Sequence, residues 1–159
     1  MKVLVAERKG LPSSNQGGLP AVRAERTSFE QVLREASVIA ISCPRTAETL
    51  NMLSTAEFEM MRSCAVIVNI SRGGIIDENA LLTALQDRRI FGYGSDVFSK
   101  EPVGSNEESP LVGGATSGLN ITCSPHIAWF SGRTMANLQA LLKGVVEAWF
   151  TPQPKFIIV

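Results

Sequence analysis

Apolar and polar positions fall in blocks that read as alternating strand and helix along most of the chain. Val3 to Ala6 is a short apolar run ending at Glu7, and the polar stretch from Lys9 to Pro20, rich in Gly and Pro, reads as a loop. Ser28-Phe29-Glu30-Gln31 has the spacing of a capping box, and Phe29, Val32, Leu33 and Ala36 follow at helical intervals, so a short helix starts there. Val38-Ile39-Ala40-Ile41 is rich in β-branched residues and stops at Cys43-Pro44. It predicts a strand buried on both faces, as parallel strands are.

Ser54-Thr55-Ala56-Glu57 caps a second helix that runs to about Met61, and the strand Ala65 to Ile70 follows. Asp77 can cap a helix carrying Ala80, Leu81, Ala84 and Leu85. Its end is expected near Arg88 and Arg89, where positive charge suits a helix C-terminus. Strand-like segments at Phe91 to Val97 and Leu119 to Cys123 flank residues 99 to 118, whose Pro, Gly, Ser, Asn and Glu mark a long surface loop. Met135, Leu138, Leu142, Val145 and Trp149 then step by three and four, which predicts a final helix with one apolar face. The alternation predicts an α/β fold, a parallel sheet flanked by helices. Right-handed crossovers then put every strand's carboxyl end on one edge.

Composition narrows the class. The chain has 159 residues, 45% apolar and 19% charged, which suits one globular domain. Lys plus Arg equals Asp plus Glu at 15 each, so no net field draws it toward nucleic acid or an anionic membrane, and a small-molecule partner is expected. Cys43, Cys64 and Cys123 form no C-x-x-C pair, which argues against a disulfide framework or a zinc site. Apolar runs fall short of the ~20 residues of a membrane span, and the first residues lack a signal-peptide cleavage pattern. The expected location is cytoplasmic.

His126 is the only histidine, so a multi-histidine metal site is excluded and any histidine acid or base must be this residue. It follows a strand, at the sheet edge where open α/β folds bind ligands. Position alone fits a loop histidine satisfied by backbone just as well. Glu101, after the preceding strand, can reach the same edge, fix the imidazole tautomer and favour its protonated form. A solvated loop glutamate is the bland alternative. Arg72 precedes Gly73-Gly74, and its planar fork can hold a carboxylate and polarise the adjacent carbonyl of a 2-keto acid. An exposed arginine in a turn fits the same residues.

Glu7 ends a strand, where an acidic residue can accept hydrogen bonds from adenosine ribose hydroxyls and so favour NAD over NADP, and an exposed strand-end glutamate fits the same position equally. The neighbouring Arg8 blurs that preference and leaves NADP open. Gly92-Tyr93-Gly94 enters a strand and lacks a third glycine, so it is no phosphate loop. Trp129 can close a pocket or pack under the last helix, and packing is expected.

These motifs together resemble the D-isomer-specific 2-hydroxyacid dehydrogenases. The resemblance runs through Cys43-Pro44-Arg45-Thr46-Ala47-Glu48-Thr49, Val68 to Glu78, Gly94 to Phe98 with Lys100-Glu101-Pro102, and Ser124-Pro125-His126. Ala6-Glu7-Arg8-Lys9-Gly10 and His126-Ile127-Ala128-Trp129 look most like the glycerate dehydrogenase, or hydroxypyruvate reductase, branch. The resemblance implies that Arg72 binds the substrate carboxylate and carbonyl, that Glu101 pairs with His126, and that His126 donates the proton. It also implies a cofactor site made of Glu7, Cys43, Pro44, Thr49, Ile70, Arg72, Asp96, His126 and Ala128, and a homodimer for the full-length family.

The same resemblance implies a partial NAD-binding domain over residues 1–130 and, over 131–159, a helix and tail that return to a substrate domain. The family pattern has a first strand and a G-x-G-x-x-G turn before Val3, and neither is in this sequence. The chain is therefore read as a carboxyl-terminal fragment with an incomplete Rossmann-like sheet. In the order 3-2-1-4-5-6 the missing strand is expected between the strand at Val3 and the strand at Val66. Two inner edges are then expected to lie open.

Overall fold

A computed structural model of the chain describes residues 1–10, 26–105 and 107–150. The expected loop from Lys9 to Pro20 lies outside the described residues from residue 11 onward. The chain divides into two compact units, Met1–Pro125 and His126–Val159.

The first unit holds two parallel sheets. In one, β1 (Val5–Ala6) pairs with β2 (Arg26–Thr27). The other has the order β3-β4-β5-β6, with β3 Val38–Ile41, β4 Val66–Asn69, β5 Gly92–Ser95 and β6 Ile121–Cys123. Every neighbouring pair is parallel. Helices α1 (Phe29–Glu35), α2 (Thr55–Met60) and α3 (Glu78–Gln86) connect the strands. Their apolar faces supply Leu33, Phe58 and Leu81 to one core with Ile67, Ile75 and Leu53. Burying side chains of this size contributes about 1.5–3 kcal/mol each before chain entropy is counted.

The sheet is split where a central strand is expected, but the open edges differ from expectation. Arg26–Thr27 forms a strand where no apolar run predicts one, so the strand at Val38 is one place further along the order. The gap therefore lies between β1 and β3. Val66 belongs to an interior strand, held by β3 on one side and β5 on the other. Among the described residues nothing pairs with the outer edge of β3, and Val38 is 65% exposed, so this strand is not buried on both faces.

Capping follows the sequence closely. The Ser28 hydroxyl accepts from Gln31 N–H, Glu57 accepts from Ser54 N–H at 3.0 Å, and Asp77 accepts from the N–H groups of Asn79 and Ala80. Each satisfies an otherwise orphaned helix donor or its neighbour. Arg89, however, does not serve its own helix. Its guanidinium donates to the carbonyls of Glu59 and Met61 and so covers the end of α2. The expected surface loop is likewise tied down, because Ser109 and Leu111 are buried and a 3-10 turn forms at Gly114–Thr116.

Among the described residues the second unit holds the turn after His126 and α4 (Gly132–Trp149), capped by the Ser131 hydroxyl accepting from Thr134 N–H. The expected helix forms, and none of its described residues is buried. Leu138, Leu142 and Trp149 of the expected apolar face are exposed, as are Leu141 and Val146. Among the described residues no helix is long and apolar enough to cross a membrane.

Candidate active site

The parallel strands of the first unit end on one edge, and most of the candidate residues sit in the loops that leave it. Glu7 directly follows β1, is half-buried, and donates its N–H to Thr27 O at 2.9 Å. Two cations come next. Lys9 lies 2.7 Å from Glu57 and donates to Met52 O, so its charge is drawn toward α2. Burial pushes the Glu57 carboxyl up, but Lys9 and the Ser54 N–H outweigh it and hold the group below the usual range. Arg8 is exposed. The Glu48 carboxyl is also held low, chiefly by the Thr46 hydroxyl at 2.6 Å, with a contribution from Arg8.

The loop after β3 is folded on itself. Thr49 donates its hydroxyl to Pro44 O at 2.8 Å and accepts from Thr46 N–H at 2.7 Å. Cys43 is half-buried against the core, and that burial pushes its thiol up. A thiol shifted upward stays protonated and poorly nucleophilic at neutral pH.

The loops after β4 and β5 are interlocked. Asn69, the last residue of β4, is buried, donates to Arg72 O at 3.0 Å and accepts from both the N–H and the hydroxyl of Ser71. This fixes the backbone under Arg72 while its guanidinium, bonded to Ser71 O at 2.7 Å, stays exposed. Gly73 then runs against the next loop. A Cβ there would stand 1.7 Å from Phe98 O, a separation that no side chain tolerates. Gly74 has a φ of +75°, and the Arg45 guanidinium lies against it. Ile70, the flanking candidate, is exposed.

Asp96 is buried at the end of β5 and accepts the Ser124 hydroxyl at 2.5 Å. Beneath it Tyr93 shares a 2.9 Å hydrogen bond with Ser95, and burial pushes the phenol up to about 12. Glu101 is exposed, and its carboxylate accepts from Phe98 N–H at 2.8 Å. Arg72 and Glu101 are thus carried by two loops that meet at Gly73 and Phe98.

His126 opens the second unit with a φ of 54°. This left-handed conformation is uncommon outside glycine, and such residues gather at functional sites. Its carbonyl accepts the Trp129 indole N–H at 2.9 Å, which rounds the turn carrying Ala128. Trp129 is about half exposed and meets Phe130 edge to face at 5.6 Å, so the ring is held from within its own turn. Gly92-Tyr93-Gly94 lies in a strand, in keeping with its dismissal as a phosphate loop.

Asn69, Ser95, Glu78 and Ser109 also shape this edge and are not among the expected site residues. Asn69 carried a signal, a polar residue closing an apolar strand. Ser109 carried none, because a serine in a polar loop does not announce its burial.

Comparison with known proteins places the chain in a defined group. Residues 1–128 match the family described as D-isomer specific 2-hydroxyacid dehydrogenase, NAD binding domain. The glycerate dehydrogenase of Methylorubrum extorquens is 35% identical over 130 residues, which cover 82% of this chain and 40% of that protein. The NAD-complexed D-isomer specific 2-hydroxyacid dehydrogenase of Lactobacillus delbrueckii ssp. bulgaricus superposes with a TM-score of 0.71 at 26% identity, covering 84% of this chain and 43% of that one. The NADPH-dependent glyoxylate/hydroxypyruvate reductase of Sinorhizobium meliloti gives 0.71 and 26%, with 98% and 45% covered. The chain therefore spans less than half the length of each of these relatives.

Proposed function

Since the chain belongs to the D-isomer specific 2-hydroxyacid dehydrogenases through their NAD binding domain, we propose that it is the carboxyl-terminal part of an enzyme that interconverts hydroxypyruvate and glycerate. Arg72 holds the substrate carboxylate by paired hydrogen bonds and polarises the keto oxygen. His126 gives that oxygen its proton on reduction and takes it back on oxidation. Glu101 orients the imidazole and leaves its other nitrogen to exchange the proton with substrate. NAD, when bound, takes or supplies the hydride.

The residues present fit the two ends of that cofactor better than its middle. Glu7 suits the ribose hydroxyls, Cys43, Pro44 and Thr49 the adenine side, and Ile70, Asp96 and Ala128 the nicotinamide side. Arg8 keeps NADP as a second candidate. No G-x-G-x-x-G turn is in the sequence to receive the pyrophosphate at a helix N-terminus. In this reading the full enzyme is a cytoplasmic homodimer.

The single observation that supports the reading most is the contact of the Arg72 and Glu101 loops at Gly73 and Phe98, on the edge where parallel α/β sheets bind ligands. Joined to a Gly-rich nucleotide-binding segment, the chain is expected to reduce hydroxypyruvate with NADH, and a folded joined protein without that activity would refute the reading. The 159-residue chain alone gives a second measurement, by cofactor titration and the same assay. Weak NAD binding with little or no turnover is expected, because the anion site is missing. Micromolar binding with measurable reduction would refute that expectation.

A second reading, a non-catalytic module that engages a partner, is favoured by the exposed apolar side chains of α4. A chain that is stable, soluble and inert toward keto acids even when joined to a Gly-rich nucleotide-binding segment would favour it.

A further inference from the structure

Glu78 is the first residue of α3, where an acidic side chain ordinarily needs no explanation beyond the helix dipole. Here both carboxylate oxygens are spent elsewhere. One accepts from Ser99 N–H at 2.7 Å and the other from the Ser109 hydroxyl at 2.6 Å. Ser109 is itself buried and accepts from Leu111 N–H at 3.2 Å, so the second contact anchors the far side of the same loop. The residue before Ser99 is Phe98, whose N–H goes to Glu101 at 2.8 Å and whose carbonyl faces Gly73. The Phe98–Ser99 segment is thus gripped by two carboxylates on neighbouring N–H groups and by one glycine contact.

We infer that Glu78 is a positioning residue for Glu101, acting through the Phe98–Ser99 segment rather than through its own charge. The inference rests on the reading of Glu101 as the partner of His126. Charge-assisted hydrogen bonds of this length are among the stronger ones, and an orienting group held loosely orients poorly. Nearby titratable groups that feel the Glu78 charge are Tyr93 and Cys123. That field is the competing effect, and Glu78→Gln, which removes the charge and keeps an oxygen, distinguishes it from positioning.

His126 is the only histidine of the chain, so its ring protons give an isolated NMR signal whose position can be followed in the intact 159-residue chain without any turnover. Glu101→Gln is expected to move that signal, since it replaces the carboxylate proposed to hold the ring. Glu78→Ala is expected to move it in the same direction by roughly half as much and to add nothing in the Glu101→Gln background, the signature of a residue that acts through another. Glu78→Gln keeps an oxygen for Ser99 N–H but loses the charge, and is expected to restore most of the shift. If Glu78→Ala does not fold, Ser109→Ala removes one of the two anchors and is expected to give a smaller shift of the same sign.

A shift with Glu101→Gln but none with Glu78→Ala or Ser109→Ala would overturn the positioning role and leave the pairing standing. Equal shifts in Glu78→Gln and Glu78→Ala would overturn it too, by showing a field effect alone. An unmoved His126 in Glu101→Gln would overturn the pairing itself, and with it the role assigned to Glu78.

Discussion

The loops after β4 and β5 and the turn after β1 belong to the same edge, yet they are built to different standards. At the first, Asn69, Gly73, Phe98, Glu78 and Ser109 tie two loops into one piece over strands of four residues each. At the second, a two-residue strand carries Glu7, and Lys9 ties the turn to Glu57 and Met52. The difference shows which half of a composite site this chain can order with its own bonds. The loops that carry Arg72 and Glu101 are fixed by the chain's own bonds, and the turn proposed to meet adenosine leaves a strand of two residues.

The largest effect is expected where the two loops touch. Gly73→Ala puts a methyl carbon 1.7 Å from a backbone oxygen, and neither loop can yield without breaking its hydrogen bonds. The expected cost is at least about 4 kcal/mol in denaturant unfolding, at the upper end for single substitutions. A loss under about 1 kcal/mol would show that the loops are not locked. Next comes a paired measurement. Ile67→Ala, in the fully buried centre of β4, is expected to cost about 3 kcal/mol. Val5→Ala in β1, already 39% exposed, is expected to cost less than about 1 kcal/mol. Similar losses at both positions would erase the contrast.

An effect smaller than that of Ile67→Ala, and dependent on pH, concerns the tie itself. The folded Glu57 carboxyl lies below its ordinary value of 4.5, so its contribution is present above that value and is lost as pH falls through the lowered one. Glu57→Gln is expected to remove about 1–2 kcal/mol at neutral pH, and the gap to the parent chain should close as the solution is acidified below the ordinary carboxylate range. A gap that stays constant with pH would mean that the ion pair contributes nothing that titrates.

Much of this contrast was legible beforehand, and the exceptions have physical causes. Val38–Ile41, Val66–Asn69 and the three capped helices follow from apolar period and from Ser28, Ser54 and Asp77 at the right offsets. Arg26–Thr27 did not, because two polar residues have no apolar run to betray them. The strand exists through its pairing with β1 and the Arg26 bond to Ala6 O at 2.9 Å. Missing it displaced the gap by one strand. The carboxyl-edge location of Arg72 and Glu101 was readable from chain order, whereas the Gly73 contact and the anchors Glu78 and Ser109 depend on which loops meet. Arg89 shows the same limit, since its sequence position suits α3 and its bonds serve α2.

The close approach at Gly73 has one more consequence. Under the proposed reading, the groups assigned to the anion and to the proton's steward share one rigid piece, so a movement of that piece would change their distance from a bound molecule without changing their spacing from each other. Selection acting on either loop is then answerable to both, and residue 73 is the rivet that joins them.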